Sequence, residues 1–307
     1  MNKFRKYSAV MLFTVSLAVL SLLSGCGSGG GSGTSPAVQG GSGGTIQGMA
    51  VKGPVSNALV TAYGITNGAM AAQVASGKTD DKGSFSLSIG DYSGPLMLQM
   101  SGGAYIDEAT GLTMAMSPGN VMTAVIPLVM SNETISNLQV TPLTSMAQAM
   151  ARNMAGGMTG ANITAANAAV GGYFMVGDIL HTGPMNPLSS GSGNTATQDM
   201  KNYGMAIAAM SQSAKDLGMS SSSSMVTDMM NDASDGVMNG MMGSTPVKMG
   251  GMSVGSSMMT STTSTIGTSG LATAMATFIT SSMNQSGVTE PEMQPLMNQL
   301  NSTNGTI

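Results

Sequence analysis

Short apolar stretches alternate with turn residues between positions 45 and 127. In the segment SFSLSI, Phe85, Leu87 and Ile89 fall on one face and three serines fall on the other. This period of two is typical of a strand with one buried and one wet face. The pattern predicts a β-sandwich of seven strands. The predicted strands are residues 45–51, 58–63, 71–76, 84–89, 96–101, 112–116 and 121–127.

A helical period replaces this alternation after residue 127. Thr141 and Pro142 form an N-cap followed by a first-turn proline, and Leu143, Ala147 and Met150 then recur at helical spacing. Such spacing places the apolar side chains on one helix face.

Two further segments have the same character. Apolar residues recur every three or four positions from Met200 to Leu217, and Thr289 and Glu292 form a capping box before another apolar run. Breakers such as residues 220–224 separate the helical stretches.

The fold class predicted from these patterns is α+β. A seven-stranded, prealbumin-like β-sandwich at residues 45–127 is followed by a loose α-helical bundle of four to six helices at residues 128–307, which is rich in Met and Ala. A Gly/Ser/Met loop is expected near residues 243–267. Residues 26–44 are mostly Gly and Ser, a composition that favours a flexible linker.

The N-terminus has the layout of a secretory signal peptide, assigned to residues 1–25. Lys3, Arg5 and Lys6 precede an apolar stretch of residues 9–23, which is short for a membrane span of about 20 residues. The segment ends in Leu-Ser-Gly-Cys at Cys26, and this resembles the lipobox of bacterial lipoproteins.

The lipobox resemblance implies that Cys26 is lipidated after cleavage. Several acyl chains, at roughly 0.8 kcal/mol per buried CH₂, make anchoring stable where one chain is marginal. The partner is then membrane lipid, bound through acylated Cys26. Gly27 follows the cysteine where inner-membrane retention uses Asp, so the resemblance implies the cell outer membrane, on its periplasmic or surface face.

Residues 48–60 and 79–85 carry a second resemblance. The first reads G-x-x-V-x-G-P-V-x-x-A-x-V, and the second reads T-D-x-x-G-x-F. Together they resemble the carboxypeptidase-regulatory or transthyretin-like domains of bacterial surface proteins. This resemblance implies the prealbumin-like sandwich, a mostly non-catalytic role and a relation to carbohydrate-binding folds.

Composition excludes several classes of function. Charged residues make up 8% of the chain, and ten Lys and Arg against fourteen Asp and Glu give a net charge of −4, which argues against a nucleic-acid partner. One Cys and one His exclude a Cys/His zinc site. The absence of Trp leaves little aromatic surface on which a sugar could stack.

Two catalytic patterns occur, both in the wrong context. Residues 72–79 fit a relaxed phosphate-binding loop, but Lys78 runs into a turn and a strand where a helix is required. Residues 251–255 fit G-x-S-x-G, which needs a histidine downstream, whereas His181 lies upstream. We therefore predict that the chain is not an enzyme.

Other polar candidates have plain structural interpretations. Asp228, Asp232 and Asp235 share one helix face, and their spacing is not that of a calcium loop, which favours a solvated face over a Ca²⁺ site. His181 is predicted to end a helix and to face its last carbonyls.

Methionine is the strongest anomaly, with 34 in the chain. Thioethers are soft ligands that select Cu(I), but methionine also fills cores in place of leucine, and sacrificial oxidation is a third use. Most of the methionines have helical core spacing. The candidate metal ligands are the late cluster Met238, Met241, Met242, Met249, Met252, Met258 and Met259.

Three functional hypotheses follow. The first is a lipid-anchored, non-enzymatic cell-envelope protein with a surface interaction, adhesion or structural role and an envelope protein or glycan as partner. It requires no cofactor. The second is a Met-rich envelope protein that binds Cu(I) or Ag(I), with Cu(I) as the candidate cofactor. The third is carbohydrate binding through the β-sandwich, which rests on fold analogy.

Overall fold

A computed structural model describes residues 43–116, 119–247, 269–303 and 305–307. Within these residues the protein is mixed α+β, with several sheets and six α-helices. The described residues form one compact unit. The predicted signal peptide, Cys26 and nearly all of the linker lie outside the described residues.

Nine strands precede the first helix in the described part of the chain. They are β1 (Gly44–Ala50), β2 (Leu59–Thr66), β3 (Ala69–Lys78), β4 (Ser84–Gly90), β5 (Gly94–Ser101), β6 (Ala104–Ile106), β7 (Thr113–Ala115), β8 (Val121–Val129) and β9 (Thr134–Val140). A short hairpin of β10 (Met241–Met242) and β11 (Thr245–Pro246) comes later.

Two sheets hold seven of these strands. One has the order β3-β2-β5-β8 and is antiparallel throughout. The other has the order β4-β1-β9, in which β1 pairs antiparallel with β4 and parallel with β9. Ile46 and Leu87 from the second sheet and Leu98 and Met122 from the first belong to one buried cluster, so the two sheets share a core.

The predicted strands differ from the observed ones in three places before the first helix. Strand β6 was not predicted. The predicted strand at residues 112–116 is the short β7, which pairs only with β6 among the described residues and belongs to neither large sheet. Strand β9 was missed and lies beyond the predicted boundary at residue 127. Asn137 has a φ of 61°, and this kink breaks the alternation by which a strand is recognised.

The six helices are α1 (Pro142–Asn153), α2 (Gly160–Tyr173), α3 (Gln198–Asp216), α4 (Ser222–Ala233), α5 (Ser269–Thr280) and α6 (Glu290–Ser302). The Thr141 hydroxyl accepts a hydrogen bond from the Thr144 N–H and caps α1, as predicted. Residues 220–224 were predicted to break helices, but Ser221 caps α4 and the helix continues through the serines. Serine is favoured at an N-cap, and this explains the difference.

The helices pack against the outer face of the four-stranded sheet. Met97 and Val125 project from that sheet into the same buried cluster as Leu143 and Ile163 of α1 and α2. The sheet is thus covered on both faces, by the other sheet and by helices. The bundle is therefore continuous with the β-structure.

Candidate functional site

A cavity of about 740 Å³ lies between the strands and the helices. Its walls come from the end of β1 and the following turn, the β3–β4 turn, the β6–β7 pair, residues 184–188 and α3. Most of the wall is apolar, including Met49, Val51, Ile106, Met185, Leu188 and Ile207. A largely apolar cavity with few polar groups is the usual form of a small-molecule site.

The turn after β1 shapes the floor of the cavity. Gly53 has a φ of +61°, and a Cβ there would lie 2.3 Å from the Ile106 carbonyl oxygen. Glycine tolerates both the left-handed conformation and this close approach. Lys52, which lies between the end of β1 and Gly53, is completely buried.

Lys52 forms a buried ion pair with Glu108. Its Nζ lies 2.7 Å from Glu108 Oε2, and the two side chains are 0% and 3% exposed. The Ser211 hydroxyl on α3 donates to the same Oε2 at 2.6 Å and also contacts the Lys52 ammonium. These three side chains join the β1 turn, the segment after β6 and α3.

The lysine is held in its charged form. Burial alone lowers the pKa of Lys52, but the charge interactions with Glu108, Tyr105 and Asp107 and the hydrogen bond to Glu108 outweigh it and raise the pKa above its ordinary value. A protonated lysine donates and cannot act as a general base. Its ammonium lies 5.2 Å from the centroid of the Tyr105 ring, a cation–π contact.

Tyr105 and Asp107 extend the polar network to the start of α4. The Tyr105 hydroxyl lies 3.0 Å from the Ser222 Oγ and accepts from the Ser223 N–H at 3.1 Å. Asp107 accepts from the hydroxyls of Ser222 and Thr110. Both Tyr105 and Asp107 are almost fully buried, so their bonds stabilise the folded state.

The opposite wall is formed by residues 184–188 and α3 in close contact. The Met185 N–H donates to the Met200 carbonyl at 3.0 Å, and a Cβ on Gly204 would lie 2.1 Å from the Met185 carbonyl oxygen. The glycine therefore allows the segment to lie directly on the helix.

Sequence patterns did not identify this site. Lys52 lies between Val51 and the Gly53-Pro54 turn, in a mostly apolar stretch. Because only 8% of the residues are charged, a lysine in this position was the signal that could have indicated the site. Its partner Glu108 is distant in sequence, so the pairing could not be inferred.

The candidate methionines are divided by the structure. Met238 is fully buried in the helical core, which fits the core-filling role. Met241 is partly buried, and Met242 is 45% exposed. Met249, Met252, Met258 and Met259 lie outside the described residues, as does the G-x-S-x-G segment and most of the predicted 243–267 loop.

The acidic cluster does not form a solvated face. Asp228 and Asp232 are buried and Asp235 is exposed. Oδ1 of Asp232 accepts from the backbone N–H groups of Asn239 and Gly240, and burial raises the pKa of Asp232 to about 6. The described residues contain no group of three His, Cys, Asp or Glu side chains arranged to hold a metal ion.

His181 also differs from its predicted place. It lies outside any helix, and its Nδ1 is 2.8 Å from Asp178 Oδ2 on the surface. Residues 72–79, the relaxed phosphate-loop pattern, lie mainly in β3 and are followed by a turn and β4.

No protein-family model matches this chain, and no curated protein matches it. A solved structure, a 9R-lipoxygenase from Cyanothece PCC8801, is similar at 10% identity and a TM-score of 0.21. The match covers 66% of this chain and 26% of the lipoxygenase. A score this low assigns neither a fold nor an activity.

The prediction that the chain is not an enzyme is not retained: the similar structure is an enzyme, and a TM-score of 0.21 bears on activity in neither direction. Catalytic activity is therefore left open.

No helix among the described residues is long and apolar enough to cross a membrane.

Proposed function

We propose that this protein is a lipid-anchored component of the cell envelope that binds a small ligand in the cavity between its strands and its helices. The observation that carries the binding role is the 740 Å³ apolar cavity above the buried Lys52–Glu108 pair. Cavities of this size and lining are suited to bury most of a small ligand. An interaction role in the envelope then acts through this cavity.

The anchor in this proposal is Cys26, supported by the lipobox and the signal sequence before it. The outer membrane is the proposed location, supported by Gly27. The test is growth with labelled palmitate. The unchanged chain should incorporate label and enter the outer-membrane fraction, whereas Cys26→Ser should do neither. Equal labelling of both chains would contradict the anchor.

The proposed family of the strand region is the prealbumin-like sandwich. Its support is the sheet pair of four and three strands with a shared core, and the motifs at residues 48–60 and 79–85. In this proposal β9 supplies the seventh strand in place of β7.

Tryptophan reporters test the cavity directly, because the chain has no tryptophan of its own. Leu188→Trp places a reporter in the cavity wall, and Leu217→Trp places one at an exposed site outside it. Octanol should change the emission of Leu188→Trp saturably and leave Leu217→Trp unchanged. An unresponsive Leu188→Trp, or equal responses, would overturn the binding role.

Copper(I) binding is a second proposal, favoured by the accessible thioethers of Met241 and Met242 in the β10–β11 hairpin. Titration with Cu(I) under reducing conditions should show binding that weakens in the Met241→Leu/Met242→Leu double variant. Met238→Leu is the matched control, because Met238 is enclosed in the core. Binding that is absent, or equal in all three chains, would remove this proposal.

A further inference from the structure

Glu108 leaves one carboxylate oxygen without a donor at the cavity. Oε2 accepts from both Lys52 and Ser211, whereas Oε1 accepts no hydrogen bond from any residue that the structure describes. Glu108 lines the cavity. Among the described residues, the side-chain atoms that are both fully buried and unpartnered do not include Oε1, so solvent reaches this atom. This oxygen is therefore open to the cavity.

The surroundings of this oxygen favour a hydrogen-bond donor on the ligand. Asp107 and Glu108 are buried carboxyl groups, Lys52 pairs directly with Glu108, and the Lys215 ammonium donates to the neighbouring Ala109 carbonyl at 3.0 Å. The partners of Asp107 are the neutral hydroxyls of Ser222 and Thr110 and a backbone N–H. Glu108 thus has its one direct cationic partner on Oε2, and Oε1 remains free to accept from a further donor.

The charged rim does not reverse this preference. The other charged residues of the described lining are Asp81 and Lys82, which are adjacent on an exposed turn. Their charges are opposite and offset each other. The remaining wall is mostly apolar. A bound molecule would therefore meet apolar side chains along its length and a carboxylate oxygen at the floor.

We propose that the cavity takes an amine ligand, with an apolar body against Met185 and Ile207 and an ammonium that donates to Glu108 Oε1. The inference rests on the proposed ligand-binding function and adds the chemical class of the ligand. An ammonium supplies the missing donor and forms a charge-assisted hydrogen bond with the carboxylate. A carboxylate in the same place would face Glu108 with like charge.

The test compares three probes with the same eight-carbon chain: octylammonium, octanol and octanoate. Each probe is titrated calorimetrically into the full chain carrying Cys26→Ser, at concentrations below those at which the probe forms micelles. This variant lacks the proposed anchor and therefore needs no detergent. Octylammonium should bind at least tenfold more tightly than octanol, and octanoate should bind most weakly.

Two variants locate the preference. Glu108→Gln should bring octylammonium within threefold of octanol while octanol binding persists. Asp81→Asn is the matched control at the rim and should keep the full tenfold preference. If Glu108→Gln fails to fold, Asp81→Asn still tests the proposal. Loss of the preference for octylammonium over octanol in Asp81→Asn would assign that preference to the rim residue and overturn the proposal.

The outcomes separate the two proposals. If octanol or octanoate binds as tightly as octylammonium, the amine inference is wrong and the cavity remains a binding site. If none of the three probes binds, the proposed ligand-binding function fails together with the inference.

Discussion

Lys52 and Glu108 lie 56 positions apart in the chain and form an ion pair of 2.7 Å that is almost completely buried. The pair lies beneath the cavity and is joined to α3 through Ser211. It therefore connects the strand region to the helices at the place where the proposed ligand binds.

Breaking this pair should be strongly destabilising. Lys52→Met leaves Glu108 buried without its cation, and such uncompensated charges cost about 3–5 kcal/mol. Urea unfolding measures the loss. The Lys52→Met/Glu108→Leu double variant should lose less than the sum of the single variants, because it removes both charges.

The surface pair Lys201–Glu292 supplies the control. Its N–O distance is also 2.7 Å, but the carboxylate is 36% exposed. Lys201→Met should therefore cost about 1 kcal/mol or less. A loss for Lys52→Met no larger than that for Lys201→Met would show that the buried pair has no special role.

A methyl group at Gly204 should disturb the cavity wall. The added Cβ would meet the Met185 carbonyl at 2.1 Å, so residues 184–188 must shift. Gly204→Ala should destabilise the protein by about 1–3 kcal/mol, as overpacking does, and should weaken octanol binding.

Gly172→Ala is the helical control for this substitution. Gly172 lies in α2 with no atom within 4 Å of an added Cβ. Alanine there should be neutral or stabilising by up to about 1 kcal/mol. Similar unfolding midpoints for the two variants would refute the close contact.

Met238 and Met242 should differ sharply in unfolding experiments. Met238 is fully buried, so Met238→Ala should cost about 2–5 kcal/mol through a cavity. Met242 is 45% exposed, and Met242→Ala should change stability by no more than about 0.5 kcal/mol. Equal effects would remove the distinction between core and hairpin methionines.

Asp232 should make the protein less stable as the pH rises from about 4 to about 6. Burial raises its pKa from 3.8 to about 6 in the folded state, so the folded state holds the proton over this range while the unfolded state releases it. The loss amounts to at most about 3 kcal/mol. Thermal unfolding across this pH range measures it.

Asp232→Asn should flatten this dependence, because the amide oxygen still accepts from Asn239 and Gly240 but does not titrate. Asp235→Asn, at an exposed neighbour, should retain the slope. A slope unchanged by Asp232→Asn would assign the titration to another group.

Local patterns predicted elements whose periods are regular. β4 alternates buried and exposed residues as expected. α3 forms where the apolar spacing predicted a helix, but it is buried on every side from Asn202 to Ala214, and Leu217 is exposed. β9 could not be found in this way, because its kink at Asn137 and its parallel partner β1 depend on the folded sheet.

The candidate site depends on contacts distant in sequence, for the same physical reason. The Lys52 turn is readable from Gly53-Pro54, but its pairing with Glu108 and Ser211 requires strands and helices to be in place. Lipidation at Cys26 needs only a local motif, and it remains a prediction.

The structure of the full chain bound to octylammonium tests the central claim most directly. The account predicts the ammonium nitrogen at about 2.7–2.9 Å from Glu108 Oε1, with the alkyl chain against Met185 and Ile207. An empty cavity, or a ligand whose nitrogen lies away from Glu108, would contradict it.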